Sequence, residues 1–169
     1  AELVSQLADA GITPSRLYYA SGSRGTQAGL TLGAKLCGAP YKVYGVAVSA
    51  GEPEKIERAK RIGNEAAVLL KLPERLELGD LVTDQNFIGE GYGIPTPEGL
   101  ESIPLLGRTE AILLDPCYTS KAMAGMLRHI RNGEIQPNET VVFLHTGGMP
   151  ALFTDSFVAA FQQTGRPLP

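Results

Sequence analysis

Four stretches of this chain hold residues whose types and spacing can do chemistry, and the first is Tyr19-Ala20-Ser21-Gly22-Ser23-Arg24-Gly25-Thr26-Gln27-Ala28-Gly29-Leu30. Arg16 to Ala20 reads as a buried apolar and aromatic strand, and Gly29 to Leu36 repeats apolar residues at helical spacing. The loop between them is therefore predicted at a strand's carboxyl end and a helix's N terminus. There the first helical turn leaves backbone N–H groups without intrahelical partners, and the aligned peptide dipoles favour an anion. Gly22, Gly25 and Gly29 let the backbone approach closely, while Ser21, Ser23 and Thr26 add hydroxyl donors, which together make a cup for a phosphate group. The spacing equally allows a tight polar turn without a ligand. It matches neither the Walker A nor the dinucleotide fingerprint, and with no Gly-Lys-Ser/Thr ending it argues against nucleoside triphosphate hydrolysis.

The other stretches are Gly89-Glu90-Gly91-Tyr92-Gly93-Ile94-Pro95, Leu114-Asp115-Pro116-Cys117-Tyr118-Thr119-Ser120-Lys121, and His145-Thr146-Gly147-Gly148-Met149-Pro150. Their positions follow from the elements around them. A short helix over Leu3 to Ala8 stops at Gly11, Lys42 to Ser49 is a second buried strand, and Pro53 opens a long helix to about Lys71. From Leu72 to Gly89 periodicity weakens, and Leu81, Val82 and Phe87 fit a short strand or a packed loop. Thr96, Pro97 and Glu98 cap a helix to about Gly107, Ala111 to Leu114 reads as a third strand, and Thr119 to Arg131 as a helix stopped by Gly133. Thr140 to Leu144 is a fourth strand, and Ala151 to about Gln163 a helix with a frayed end at Gly165-Arg166-Pro167. The alternation predicts an α/β fold, an open three-layer sandwich with a mostly parallel sheet. Ligands of such sheets collect beyond the strands' carboxyl ends, where the Ser21, Asp115 and His145 loops are all expected.

The chain has 169 residues, 43% apolar and 20% charged, with a net charge of −3, which suits a soluble globular segment and gives nucleic acid no basic footprint. No apolar run is long enough to cross a bilayer and no signal peptide pattern is present, so a cytoplasmic location is the expectation. Cys37 and Cys117 lack ligand-spaced neighbours, so no metal site or disulfide framework is indicated, and both read as reduced small apolar residues. His129, between Arg128 and Arg131, reads as an exposed helix-face residue. His145 either supports the ligand loops from behind or is a satisfied polar group at a strand end, the second being preferred. The lysines read as solvated; Lys121 lies near the expected pocket, but a catalytic role would require burial to lower its pKa. The opening inside a helix pattern, together with 20 glycines gathered into ligand-directed loops, suggests part of a larger protein.

The four stretches, taken in order and extended through Met126 and Phe153, resemble the 1-aminocyclopropane-1-carboxylate deaminase and D-cysteine desulfhydrase family. These are pyridoxal-phosphate enzymes of the tryptophan synthase β-subunit fold type (fold type II). The resemblance covers nearly the whole chain and implies that residues 1 to 169 are the C-terminal, cofactor-binding portion, the large-domain half, of such an enzyme. The Schiff-base lysine would then lie in an N-terminal portion with no counterpart here. By the same resemblance Ser21, Gly22, Ser23, Arg24, Gly25 and Thr26 form the cup for the cofactor's phosphate, with Arg24 either pairing with it or pointing to solvent. Tyr92 and Tyr118 match the tyrosines that face substrate and cofactor as catalytic phenols; without the resemblance each reads as a packed core aromatic. Thr119 and Thr146 match positions near the pyridine nitrogen, and Gly147 is a further cofactor-binding position that the resemblance implies.

In the deaminase branch a glutamate follows the counterpart of Tyr118, holding that nitrogen protonated. The neutral Thr119 favours the desulfhydrase branch, whose reaction is elimination of D-cysteine to pyruvate, hydrogen sulfide and ammonia. An aminocyclopropane carboxylate deaminase, a cysteate sulfo-lyase with Arg24 meeting the anionic group, and a noncatalytic module binding a phosphate ligand are the alternatives. The resemblance also implies a small amino-acid substrate and a homodimer once the other portion is present.

Overall fold

A computed structural model of the protein describes residues 1–163; the expected frayed end at Gly165-Arg166-Pro167 lies outside the described residues. In chain order the elements are α1 (Glu2–Asp9), β1 (Arg16–Ser21), α2 (Gly25–Leu36), β2 (Lys42–Ala47), α3 (Glu54–Leu69), β3 (Val82–Asp84), α4 (Pro97–Thr109), α5 (Thr119–Arg131), β4 (Val141–Phe143) and α6 (Asp155–Gln162). The four strands form one sheet in the order β3-β2-β1-β4, and every pairing is parallel. The chain thus steps outward from β1 through β2 to β3 and then returns to the other side of β1. That reversal puts a topological switch point at the carboxyl end of β1, where open α/β sheets bind ligands.

Period-two side-chain alternation sorts the sheet's residues into two cores. Tyr18, Ala20, Val46 and Val48 face α5, packing with Ala122, Ala124 and Phe87. Leu17, Tyr19 and Val43 face the opposite side with Leu3 of α1 and with Leu30 and Ala34 of α2. A further cluster on Leu32, Ala59, Ala67 and Leu76 joins α2 to α3. Beyond α5, Leu100 and Ile103 of α4 meet Leu114, Met123, Phe157 and Phe161, so α6 closes over the outside of α4 and α5. The result is the expected three-layer α/β sandwich. Gly45 is required within β2 because it pairs with Tyr19, whose hydroxyl would lie 2.6 Å from a Cβ built there.

Several expectations are corrected. Ala111 to Leu114 is not a strand: Ala111 turns the chain with a φ of +56°, and Ile112 and Leu113 are exposed. Leu113 engages instead through its carbonyl, which accepts a hydrogen bond from His145 Nε2 at 2.9 Å. The weakly periodic stretch after α3 contains a single 3-10 turn, Leu78–Asp80, followed by β3, and the tail begins with a 3-10 turn over Met149–Phe153 before α6. His129 is buried, not exposed. Its Nδ1 accepts from the Tyr18 hydroxyl at 2.8 Å and its Nε2 donates to Asp84 Oδ2 at 3.0 Å. Both partners sit on strands remote in sequence, so a helical wheel of α5 alone cannot reveal them.

Candidate functional site

The cup is built by the end of β1 and the start of α2. Arg24 takes the α2 N-cap position in the left-handed region, with φ +79°, and supplies no side-chain cap. The N–H groups of the first turn of α2 therefore stay available to a ligand. Gly22, Ser23 and Thr26 line a cavity of about 510 Å³ that they share with Tyr92, Tyr118, Thr146 and Gly147. The sequence-predicted loops thus meet at the carboxyl ends of β1 and β4.

The side chains of Ser21, Arg24 and Thr119 turn elsewhere. Arg24, 1% exposed, neither lines the cavity nor points to solvent. Its guanidinium donates to Ser21 Oγ at 2.7 Å and Gln27 Oε1 at 3.0 Å, and forms a close ion pair with Glu52. Gln27 Nε2 continues the network to Thr83 Oγ1 at 2.8 Å, so the underside of the cup is tied to β3 and to the segment entering α3. Ser21 is held inside this network, and Gly25 begins α2 beside the cavity without lining it.

Thr119 is fully buried beneath the turn that aims Tyr118. Its Oγ1 donates to Asp115 Oδ1 at 2.7 Å and accepts from the Asp115 N–H at 2.8 Å. Asp115 organises the whole turn, accepting from the N–H groups of Cys117 and Tyr118 at 2.8 Å and of Thr119 at 2.7 Å. A carboxylate at a helix N terminus also complements the helix dipole. Behind it stands Gly148, with φ +95°; a Cβ there would lie 2.7 Å from Asp115 Cγ. The loop after β4 and the turn before α5 thus touch through this pair. In the β4 loop His145 Nδ1 accepts from Gly147 N–H at 3.1 Å while its Nε2 serves Leu113, so His145 is a satisfied polar group.

Tyr92 and Tyr118 meet at the rim, ring centroids 5.8 Å apart at 74°, with their hydroxyls in direct contact. The hydrogen bond shared with Tyr92 and then burial push the Tyr118 phenol above the usual tyrosine range, so it stays protonated and can donate. Lys121 is fully buried on α5 and anchors the loop that carries Tyr92: its Nζ donates to the carbonyls of Ile88 at 2.7 Å and Gly91 at 2.9 Å. Burial lowers its pKa.

Sequence reasoning missed Ser49, Lys55 and Arg58, which also line the cavity. They belong to the segment just after β2 and to α3, outside any recognised motif; the only signal was two basic residues early in a helix. With them the lining, among the described residues, holds two cations, several hydroxyls and no carboxylate, opposite in sign to the chain's net charge of −3. That donor set suits a dianionic phosphate ester, and the phenols suit a flat ring. Among the described residues no group of His, Cys, Asp and Glu could hold a metal, and no helix is long and apolar enough to cross a membrane.

A crystal structure described as that of an ACC deaminase homologue matches with a TM-score of 0.82 and 28% sequence identity, covering 96% of this chain and 48% of that one. The chain therefore spans about half the length of that protein. Residues 1–147 match the pyridoxal-phosphate dependent enzyme family, to which this chain belongs.

Proposed function

We propose that the cavity binds the phosphate and ring of pyridoxal 5′-phosphate, and that this chain is the C-terminal, cofactor-binding portion of a lyase that eliminates hydrogen sulfide from D-cysteine. The observation that carries the reading is the cavity lining, in which Gly22, Ser23, Thr26 and Thr146 present donors and no carboxylate is found among the described residues. In this reading Gly22, Ser23 and Thr26 hold the phosphate at the start of α2. Once bound, the cofactor would supply an electron sink for the charge left when an amino acid loses its α-proton.

Thr146 is a neutral partner for the pyridine ring. With Thr119 committed to Asp115, none of the described residues lining the cavity is an acid that could hold the ring nitrogen protonated, which favours expulsion of a good leaving group such as hydrosulfide over opening of a cyclopropane ring. Arg24, locked against Glu52, is unavailable to a substrate sulfonate, which removes the support for cysteate. Tyr118 and Tyr92 form a linked pair of hydroxyls that can hold a proton near a departing group.

The lysine that attaches the cofactor is assigned to an N-terminal portion outside this chain, and the complete protein is assigned to a cytoplasmic homodimer. The test is to assay this chain with pyridoxal phosphate, alone and joined to such an N-terminal portion, on D-cysteine, L-cysteine, cysteate and 1-aminocyclopropane-1-carboxylate. Sulfide and pyruvate from D-cysteine are expected only from the joined protein. Turnover of 1-aminocyclopropane-1-carboxylate with D-cysteine left intact would refute the assignment.

A further inference from the structure

From the lining of the same cavity we infer that Lys55 and Arg58 of α3 form the charged wall of the phosphate site, neutralising a phosphate ester whose oxygens the α2 cup binds only through neutral donors. The inference rests on the cofactor site proposed above and adds residues that no cup motif contains.

Spacing of three residues puts Lys55 and Arg58 on one face of α3, and both line the cavity with Gly22, Ser23 and Thr26. Lys55 Nζ is steadied by Ser49, donating to its Oγ at 2.5 Å and its carbonyl at 3.3 Å, which leaves one of the ammonium's three donors unassigned. Among the described residues Arg58 has no hydrogen-bond or ion-pair partner.

Lys55 lies in the first turn of α3, where the helix dipole disfavours a cation, while the acids of that turn, Glu54 and Glu57, are solvent-exposed. Lys55, half-buried on the cavity side of that turn, breaks the local charge rule at the place where an anion is expected, which is where functional sites break such rules, and the solvent-exposed Arg58 stands one turn on at the cavity's open side. The buried Arg24–Glu52 pair then has a structural purpose: Glu52 lies just before α3, so the pair fixes the start of that helix to the floor of the cup. Charge-assisted hydrogen bonds from both helices would converge on one dianion.

The test uses pyridoxine 5′-phosphate and pyridoxine, which lack the aldehyde and form no covalent adduct with lysines. Each is titrated into the wild-type chain, Lys55→Met/Arg58→Met and Lys55→Arg/Arg58→Lys, with binding read by equilibrium dialysis and folding by far-ultraviolet circular dichroism. The methionine variant is expected to lose roughly 10- to 100-fold in affinity for the phosphate ester but less than about twofold for pyridoxine. The charge-retaining variant is expected to keep most of the affinity. Unchanged affinity for the ester, or equal losses for both ligands, overturns the inference. If pyridoxine binds too weakly to titrate, inorganic phosphate followed by ³¹P line width takes its place, and an unchanged phosphate affinity overturns the inference. If the double variant does not fold, Lys55→Gln and Arg58→Gln carry the same comparison singly. Failure of the wild-type chain to bind pyridoxine 5′-phosphate overturns the cofactor site itself, and this inference with it.

Discussion

Replacing Asp115 with alanine should do more damage than any change at the cavity surface. The carboxylate is fully buried and accepts four hydrogen bonds, three from the N–H groups of Cys117, Tyr118 and Thr119 and one from the Thr119 hydroxyl. Each buried donor left without a partner costs about 1–3 kcal/mol. Part of that is offset because a carboxylate no longer has to be desolvated. A net loss of about 3–5 kcal/mol follows, at the upper end of what single substitutions do. For a domain of this size it lowers Tm by roughly 6–20 °C. Asp115→Asn should lose about 2–3 kcal/mol, since one acceptor oxygen survives while the other becomes a donor aimed at N–H groups. Urea and thermal unfolding followed by circular dichroism measure both. In the temperature range where the alanine variant stays folded, Tyr118 is no longer aimed, so affinity for pyridoxine 5′-phosphate should also fall. A loss below about 1 kcal/mol in Asp115→Ala would show that the turn holds itself and that the carboxylate is not its organiser.

Other expectations follow from single contacts. Glu52→Ala leaves the Arg24 guanidinium buried without its countercharge and should cost about 3–5 kcal/mol in urea unfolding, whereas a cost near zero would mean that Arg24 finds water. Burial holds the Tyr19 phenol far above the usual tyrosine range, so above about pH 10 the unfolded chain releases a proton that the native chain keeps, and stability falls as pH rises. Tyr19→Phe removes that contribution and should move the alkaline unfolding midpoint upward, and an unmoved midpoint would contradict it. Lys121→Met strands the carbonyls of Ile88 and Gly91 and should cost about 1–3 kcal/mol. Amide exchange should quicken selectively over residues 88 to 95, and a uniform change across the chain would argue against a local anchor.

Elements with strong periodicity or clear punctuation are legible in the sequence. The cup between β1 and α2, the Thr96 cap of α4 and the start of α5 at Thr119 all have local signals, because capping residues, glycines and apolar stripes act within a few residues. Strand character was less legible where it depends on a partner. Ala111 to Leu114 has a strand's composition but no ladder to join, whereas Val82–Asp84 is short and polar yet pairs with Tyr44 to Val46.

At the site, sequence spacing identified which loops converge, but not which way their side chains point. Ser21, Arg24 and Thr119 occupy the expected loops, yet their polar groups serve Gln27, Glu52 and Asp115: Gln27 and Asp115 are near in sequence but spacing does not show that the side chains turn to them, and Glu52 is brought near only by the fold. Lys55 and Arg58 were missed for the converse reason: their position beside the cup arises from the packing of α3 on α2, not from a motif.

The contact between Gly148 and Asp115 bears on how this pocket can be re-engineered. Any side chain at 148 must push Asp115 aside, so a substitution that reshapes the Thr146 side of the cavity also re-aims Tyr118. Libraries that vary the two rims independently should return mostly inactive combinations, and improved variants should carry paired changes that leave this glycine in place.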